Sequence, residues 1–211
     1  MHINEESQNF LKFEWGGGEG QLFKFTAVSN ELACCPTLFA KLMKPVMAAL
    51  HRQDCILTIF IDDTLLIGLF ELDCTQNVKA SLELLGKLGF VVHPVKSVLI
   101  SSHTITSLGF EINSSQMAIT LTRERKVKSY NSATKLLNMG TVSSQTLAKF
   151  IGQEVASFQG VKFGPLWYKA LEKGKITALR EGRGDYESPV ALSDEAKAEI
   201  LWWKENVFLF L

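Results

Sequence analysis

The sequence lacks net charge: 22 Lys and Arg balance 22 Asp and Glu in 211 residues. That balance excludes a wholly basic, histone-like nucleic-acid binder, though not a local basic face. No stretch reaches the roughly 18 uninterrupted apolar residues of a membrane span, so no membrane partner is expected. The start, MHINEESQNF, has neither a basic segment nor an apolar one after it, so no secretory signal is read. The expected setting is cytoplasmic or nuclear, not secreted. Cysteine is scarce, at four residues (Cys34, Cys35, Cys55 and Cys74), and no CxxC pair exists. These are read as small buried hydrophobes in a reducing compartment. Internal repeats and low-complexity tracts are missing as well.

What is present is enough for a core. Hydrophobic residues make up 46%, with 14 Phe and 4 Trp, which excludes wholesale disorder. The length fits one or two small domains. The neutral total hides an uneven distribution. Residues 1–120 hold 8 basic and 12 acidic side chains, residues 121–185 hold 12 and 5, and residues 186–211 hold 2 and 5. A nucleic-acid surface should therefore draw on the middle block.

Residues 10–27 read as two short strands around the Gly-rich turn GGGEG. That turn lacks the Lys-Ser/Thr of a phosphate loop and reads as a plain hairpin loop. Pro36 suits a helix start, and Leu38, Leu42, Val46 and Ala49 recur at helical spacing. Pro45 is expected to kink or split that helix. Val78, Leu82, Leu85 and Leu88 mark another helix, stopped near Gly89. Short strands are expected at 90–93, 98–100, 106–112 and 117–121. From Thr122 the period becomes helical. One helix should bury Val127, Tyr130, Thr134 and Leu137, a second Leu147, Ile151, Val155 and Phe158, and a third is expected around 163–173. After a loop over 181–189, Leu192 and Ser193 make a staple-and-cap start for a last helix. The fold class is α+β, with an α+β part over 1–121 and a mostly helical part over 122–211.

Residues 56–67, ILTIFIDDTLLI, give the strongest strand signal. Two apolar arms flank Asp62 and Asp63, which reads as strand, turn, strand. Adjacent carboxylates amid hydrocarbon are costly unless they reach solvent or a cation. A solvated turn satisfies that demand. So does a divalent metal, because Mg²⁺ takes hard carboxylate and phosphate oxygens. On the residues alone both readings stand.

The string IFIDDTLLIG resembles the YxDD hairpin of reverse transcriptases, with Phe60 at the usual Tyr position. Upstream, FTAVSNELACCPTLFAKLMKPV resembles the family's FTxLPFGLxxAPxxFxKxMxxV segment. Downstream, LGFVVHPVKS and ITSLGFEI resemble the end of the palm and the strand leading out of it. LAKFIGQEVASFQGVKFGPLWYKALEKGK and LWWKENV are similar to the region after the palm in retrotransposon polymerases of the DIRS-like type.

The resemblance implies a polymerase palm fragment with an antiparallel sheet and helices, followed by a helical thumb- or connection-like region. It implies an RNA-directed DNA polymerase that adds deoxynucleotides to a primer 3′-hydroxyl by two-metal phosphoryl transfer. Asp62 and Asp63 become catalytic carboxylates and ligands of Mg²⁺ (or Mn²⁺). Phe60 packs under the primer end, without the hydroxyl that Tyr offers. Lys96 faces the incoming triphosphate as a point charge, its alternative being a solvated strand-edge lysine. Arg123, Arg125, Lys126, Lys128 and Lys149 become candidates for the nucleic-acid backbone, or else the ordinary polar faces of helices. Trp167, Tyr168, Trp202 and Trp203 either stack on bases or pack the core. The implied partners are a template–primer duplex (RNA/DNA or DNA/DNA), deoxynucleoside triphosphates and the rest of a Pol polyprotein.

Two departures bear on activity. The family's first catalytic Asp lies upstream of the FLKFEW segment, so this chain is expected not to contain it. Ser29, Asn30 and Glu31 stand where the family has Pro, Phe and Gly. A Cβ and a negative charge at that place oppose the approach of nucleotide and template phosphates. The chain alone is therefore expected to be inactive. The alternatives to a polymerase are a catalytically dead nucleic-acid-binding remnant and a structural partner of a complete polymerase.

Overall fold

The computed structural model describes residues 2–16, 20–29 and 32–209. The turn residues 17–19, and Asn30 and Glu31, lie outside the described residues. The chain divides into two compact units, one up to Ser101 and the other from Ser102. The division places the strands between 104 and 121 in the same unit as the helices that follow.

The first unit opens with a single helical turn, α1 (Glu5–Gln8), capped by the Asn4 side chain. Strands β1 (Lys12–Trp15) and β2 (Gln21–Lys24) pair antiparallel, with Phe13 opposite Phe23. Helix α2 (Cys35–His51) has Pro36 in its first turn, where a missing N–H costs little. Pro45 lies inside it, yet the helix is neither split nor ended there. Strands β3 (Ile56–Phe60) and β4 (Asp63–Ile67) form a hairpin that leads into α3 (Glu71–Lys87). Met43, Val46 and Leu50 of α2 close over Cys55 and Leu57, with Leu66, Leu84 and Phe90 packed around them.

Two expectations fail in this unit. The segments 90–93 and 98–100 are not strands, because neither pairs with a strand among the described residues. Val91 is 93% exposed and Ile100 82%. Only Cys55 behaves as the buried thiol expected of all four cysteines. Cys34 is exposed, and Cys35 and Cys74 are half-buried. Burial and the neighbouring Asp54 push the Cys55 thiol up.

The second unit begins with a three-stranded antiparallel sheet, β5 (Thr104–Ser107), β6 (Phe110–Asn113) and β7 (Ala118–Leu121). The strand expected over 106–112 is two strands, broken by a tight turn at Leu108 and Gly109, whose φ angles are 51° and 78°. Gly109 serves that turn twice, since a Cβ there would also strike the Arg125 side chain. Helix α4 (Arg123–Leu137) follows, capped by Thr122. Next come a short strand β8 (Thr141–Ser143), helix α5 (Ser144–Val155) capped by Ser143, and two 3-10 turns. Helix α6 (Lys169–Glu181), strand β9 (Pro189–Ala191) paired to β8, and α7 (Asp194–Asn206) capped by Ser193 complete the unit.

The helix expected at 163–173 begins only at Lys169, because Gly164–Leu166 is taken up by a 3-10 turn. The buried stripe of α4 is Ser129, Ala133 and Leu136, one residue back from the expected one. Val127 and Tyr130 are 41% and 39% exposed. Small Ser129 and Ala133 let the neighbouring helices approach. The core centres on Leu147, Leu171, Ile200 and Trp203, each 0% exposed. No helix among the described residues is long and apolar enough to cross a membrane.

A candidate acidic site on a tight hairpin

The β3–β4 ladder runs to its last pair, Phe60 opposite Asp63, and leaves Ile61 and Asp62 as a two-residue turn. Ile61 adopts φ 56°. A β-branched residue in the left-handed region is strained, at a cost on the order of 1–3 kcal/mol. Glycine is the usual occupant of such a turn position. The paired strands on either side hold the strain in place. The result is the arrangement that the apolar arms imply: Asp62 in the turn, Asp63 at the first position of β4, both exposed. Phe60 is 58% exposed beside them.

The other end of the hairpin is fastened to α3. Asn77, 9% exposed, donates from Nδ2 to the Ile67 carbonyl at 3.0 Å. Gly68 lies so close to Cys74 that an added Cβ would sit 2.6 Å from its backbone nitrogen. Sequence reasoning missed both residues. The only hint was a polar Asn one place before the apolar stripe of that helix.

Two adjacent exposed carboxylates suit part of a magnesium cage. Among the described residues no group of three or more His, Cys, Asp or Glu side chains could hold an ion. The described residues therefore do not fit a two-metal centre by themselves.

Lys96 is not part of the acidic turn. It is exposed and sits in its own turn, where the N–H groups of Val95 and Lys96 donate to His93 Nδ1, each at 3.3 Å. The basic candidates belong to the second unit. Arg123 and Lys128 on α4 and Lys149 on α5 are exposed. Lys128 lies on the flank of α4, roughly 100° round from the stripe of Ser129, Ala133 and Leu136. Arg125 is committed internally: its guanidinium donates to the Ala156 carbonyl at 3.1 Å and lies 4.9 Å over the Phe110 ring. Lys126 is half-buried. Of the tryptophans, Trp203 is fully buried and donates from Nε1 to the Trp167 carbonyl at 2.7 Å. Trp202 stacks on Trp167 at 5.3 Å with an interplanar angle of 6°.

Comparison with known proteins agrees with this geometry. Residues 2–112 match the family model described as reverse transcriptase (RNA-dependent DNA polymerase). The Gag-Pol polyprotein of Feline leukemia virus is 28% identical over 135 residues, which is 61% of this chain and 8% of that polyprotein. A foamy viral protease-reverse transcriptase, solved with double-stranded DNA, matches all of this chain with a TM-score of 0.69 at 18% identity. A second foamy viral structure, solved with an RNA/DNA hybrid, matches 98% with the same TM-score at 19% identity. The chain spans 33% and 25% of those two proteins, so it corresponds to a part of each. The shared fold is the α+β palm and thumb-like architecture. The family match takes in more than half of the sequence, including the acidic hairpin, and the chain belongs to the reverse transcriptase (RNA-dependent DNA polymerase) family.

Proposed function

We propose that this chain is a nucleic-acid-binding palm-and-thumb piece of the reverse transcriptase family, of DIRS-like retrotransposon type, without polymerase activity of its own. The observation that carries this reading is the acidic turn: two exposed carboxylates, Asp62 and Asp63, and no third metal-binding group beside them among the described residues. What the pair lacks, among the described residues, is a third carboxylate beside it. Two-metal transfer of a nucleotide from a deoxynucleoside triphosphate needs that further ligand.

Residues 1–121 supply palm elements in this reading, and 122–211 supply the thumb- or connection-like region. The latter grips a template–primer duplex through its phosphates. The net charge of +7 over residues 121–185 supports that role, as do exposed Arg123, Lys128 and Lys149. Contacts of this kind are independent of sequence and weaken as salt rises. A structural role beside a complete polymerase is the second reading. It is favoured by the β1–β2 region, where Phe10 and Trp15 are 88% and 74% exposed.

The test combines two assays on the full chain. Fluorescence anisotropy with a labelled RNA/DNA or DNA/DNA duplex should show binding that falls steeply from low to moderate salt. Primer extension with Mg²⁺ or Mn²⁺ should show no incorporation. Template-dependent extension that Asp62→Ala abolishes overturns the inactive reading, and salt-insensitive binding overturns the phosphate-grip account.

A further inference from the structure

Glu154 is an acid that none of the chemistry above uses. It lies on α5, is 0% exposed, and faces Ser129 of α4, also 0% exposed. The Ser129 hydroxyl oxygen is 2.9 Å from Glu154 Oε1 and 3.0 Å from Oε2. Gln153 Nε2 approaches Oε1 at 3.2 Å, and Gln153 Oε1 accepts from Ser132 on α4 at 3.3 Å. A serine hydroxyl has one hydrogen and can donate to only one of the two oxygens. The second short contact is satisfied when the carboxyl carries a proton and donates back to Ser129. Ionised, Glu154 can accept from Gln153 at Oε1 and from Ser129 at Oε2, but its charge then lies fully buried with no ion-pair partner among the described residues, which is costly.

Among the described residues the neighbouring charges are engaged elsewhere or exposed. On α4, Arg125 is turned to the Ala156 carbonyl and the Phe110 ring, and Lys126 stands next to it in sequence. On α5 the other charged residue is Lys149, which is exposed. On α6, which packs on α5, Glu172 pairs with Lys175, and Lys173 and Glu181 line a groove beside β9. On α7, which packs on α4, Glu199 caps α6 and Lys204 lies over Tyr130. Among the described residues no ion pair reaches Glu154.

We propose that Glu154 is a proton-operated latch between α4 and α5, closed when its carboxyl is neutral and released when it ionises. This goes beyond the binding role proposed above and does not depend on it. Burial pushes the carboxyl up to about 7, so the latch works near neutral pH. Its consequence is local: the helix that carries Arg123 and Lys128 is held firmly on the acid side and loosely on the alkaline side.

Two measurements on the full chain test it. Hydrogen exchange of the α4 amides, corrected for the intrinsic rate, should show an opening equilibrium that rises about tenfold from about pH 6 to pH 8. The rise should vanish in Glu154→Gln. A flat wild-type profile, or an unchanged rise in the variant, overturns the latch. Carbon-13 carboxyl shifts of the wild type decide the matter even if the variant does not fold. A Glu154 midpoint near neutrality supports the latch, and one in the ordinary glutamate range overturns it.

Discussion

Replacing Glu199 is expected to undo the start of a helix that lies 28 residues away in sequence. Helix α6 opens at Lys169, and Tyr168 before it gives no side-chain cap. The N–H groups of Ala170 and Leu171 donate instead to the two carboxylate oxygens of Glu199 on α7, at 2.9 and 3.0 Å. Leu171 is 0% exposed and Glu199 8%, so water is a poor substitute. Hydrogen bonds to a charged group contribute about 1.5–3 kcal/mol each, and the helix dipole adds a favourable field for an anion. Glu199→Ala removes both bonds and leaves two orphaned N–H groups, for an expected loss of about 3–4 kcal/mol. Glu199→Gln keeps one acceptor oxygen and should lose about half as much. Urea unfolding followed by tryptophan emission reads this directly, since Trp203 belongs to the same core. A loss below about 1 kcal/mol in the alanine variant would refute the reasoning, because it would mean that another group or solvent satisfies those donors.

Stability should also depend on pH through Glu154. Its folded value of about 7 lies above the ordinary 4.5. The folded state therefore binds the proton more tightly, and the advantage is complete below about pH 4.5 and lost as pH rises through about 7. The difference amounts to about 3 kcal/mol, and urea midpoints should show it in the wild type but not in Glu154→Gln. Gly164→Ala places a Cβ 2.8 Å from the buried Trp203 ring and should cost about 1–3 kcal/mol, read as a lower midpoint for the thermal transition of the second unit. Lys128→Ala should lower the salt slope of duplex binding by about 1, whereas Arg125→Ala should leave that slope alone and destabilise the fold. Equal slopes for the wild type and the Lys128 variant would remove Lys128 from the binding surface.

The acidic hairpin was legible because its signal is local. Apolar arms rich in β-branched residues favour strands, and acids between them favour a bend, although the turn falls on Ile61 and Asp62, and Asp63 opens β4. The strain at Ile61 was not legible, since no residue type announces a positive φ there. Helix positions were readable from periodicity, but their innermost faces were not. In α3 the most buried residues are Asn77 and Ser81, and in α4 Ser129 and Ala133. Small and polar residues sit where helices come closest, so an apolar stripe marks the flank of the contact rather than its centre. The strands expected at 90–93 and 98–100 show the opposite failure, with strand-forming residues lacking a partner to pair with. The cap Ser193 was visible three residues from its target. Glu199, separated from its own by almost thirty residues, was not.

The unequal cores of the two units have a practical outcome. Among the described residues, five buried apolar side chains form the core of the part up to Ser101, against sixteen after it. On warming, the polypeptide should melt in stages, the leaner portion first, so that a lone melting temperature describes neither. Limited digestion should then trim the amino-terminal hundred residues while sparing a resistant carboxy-terminal body.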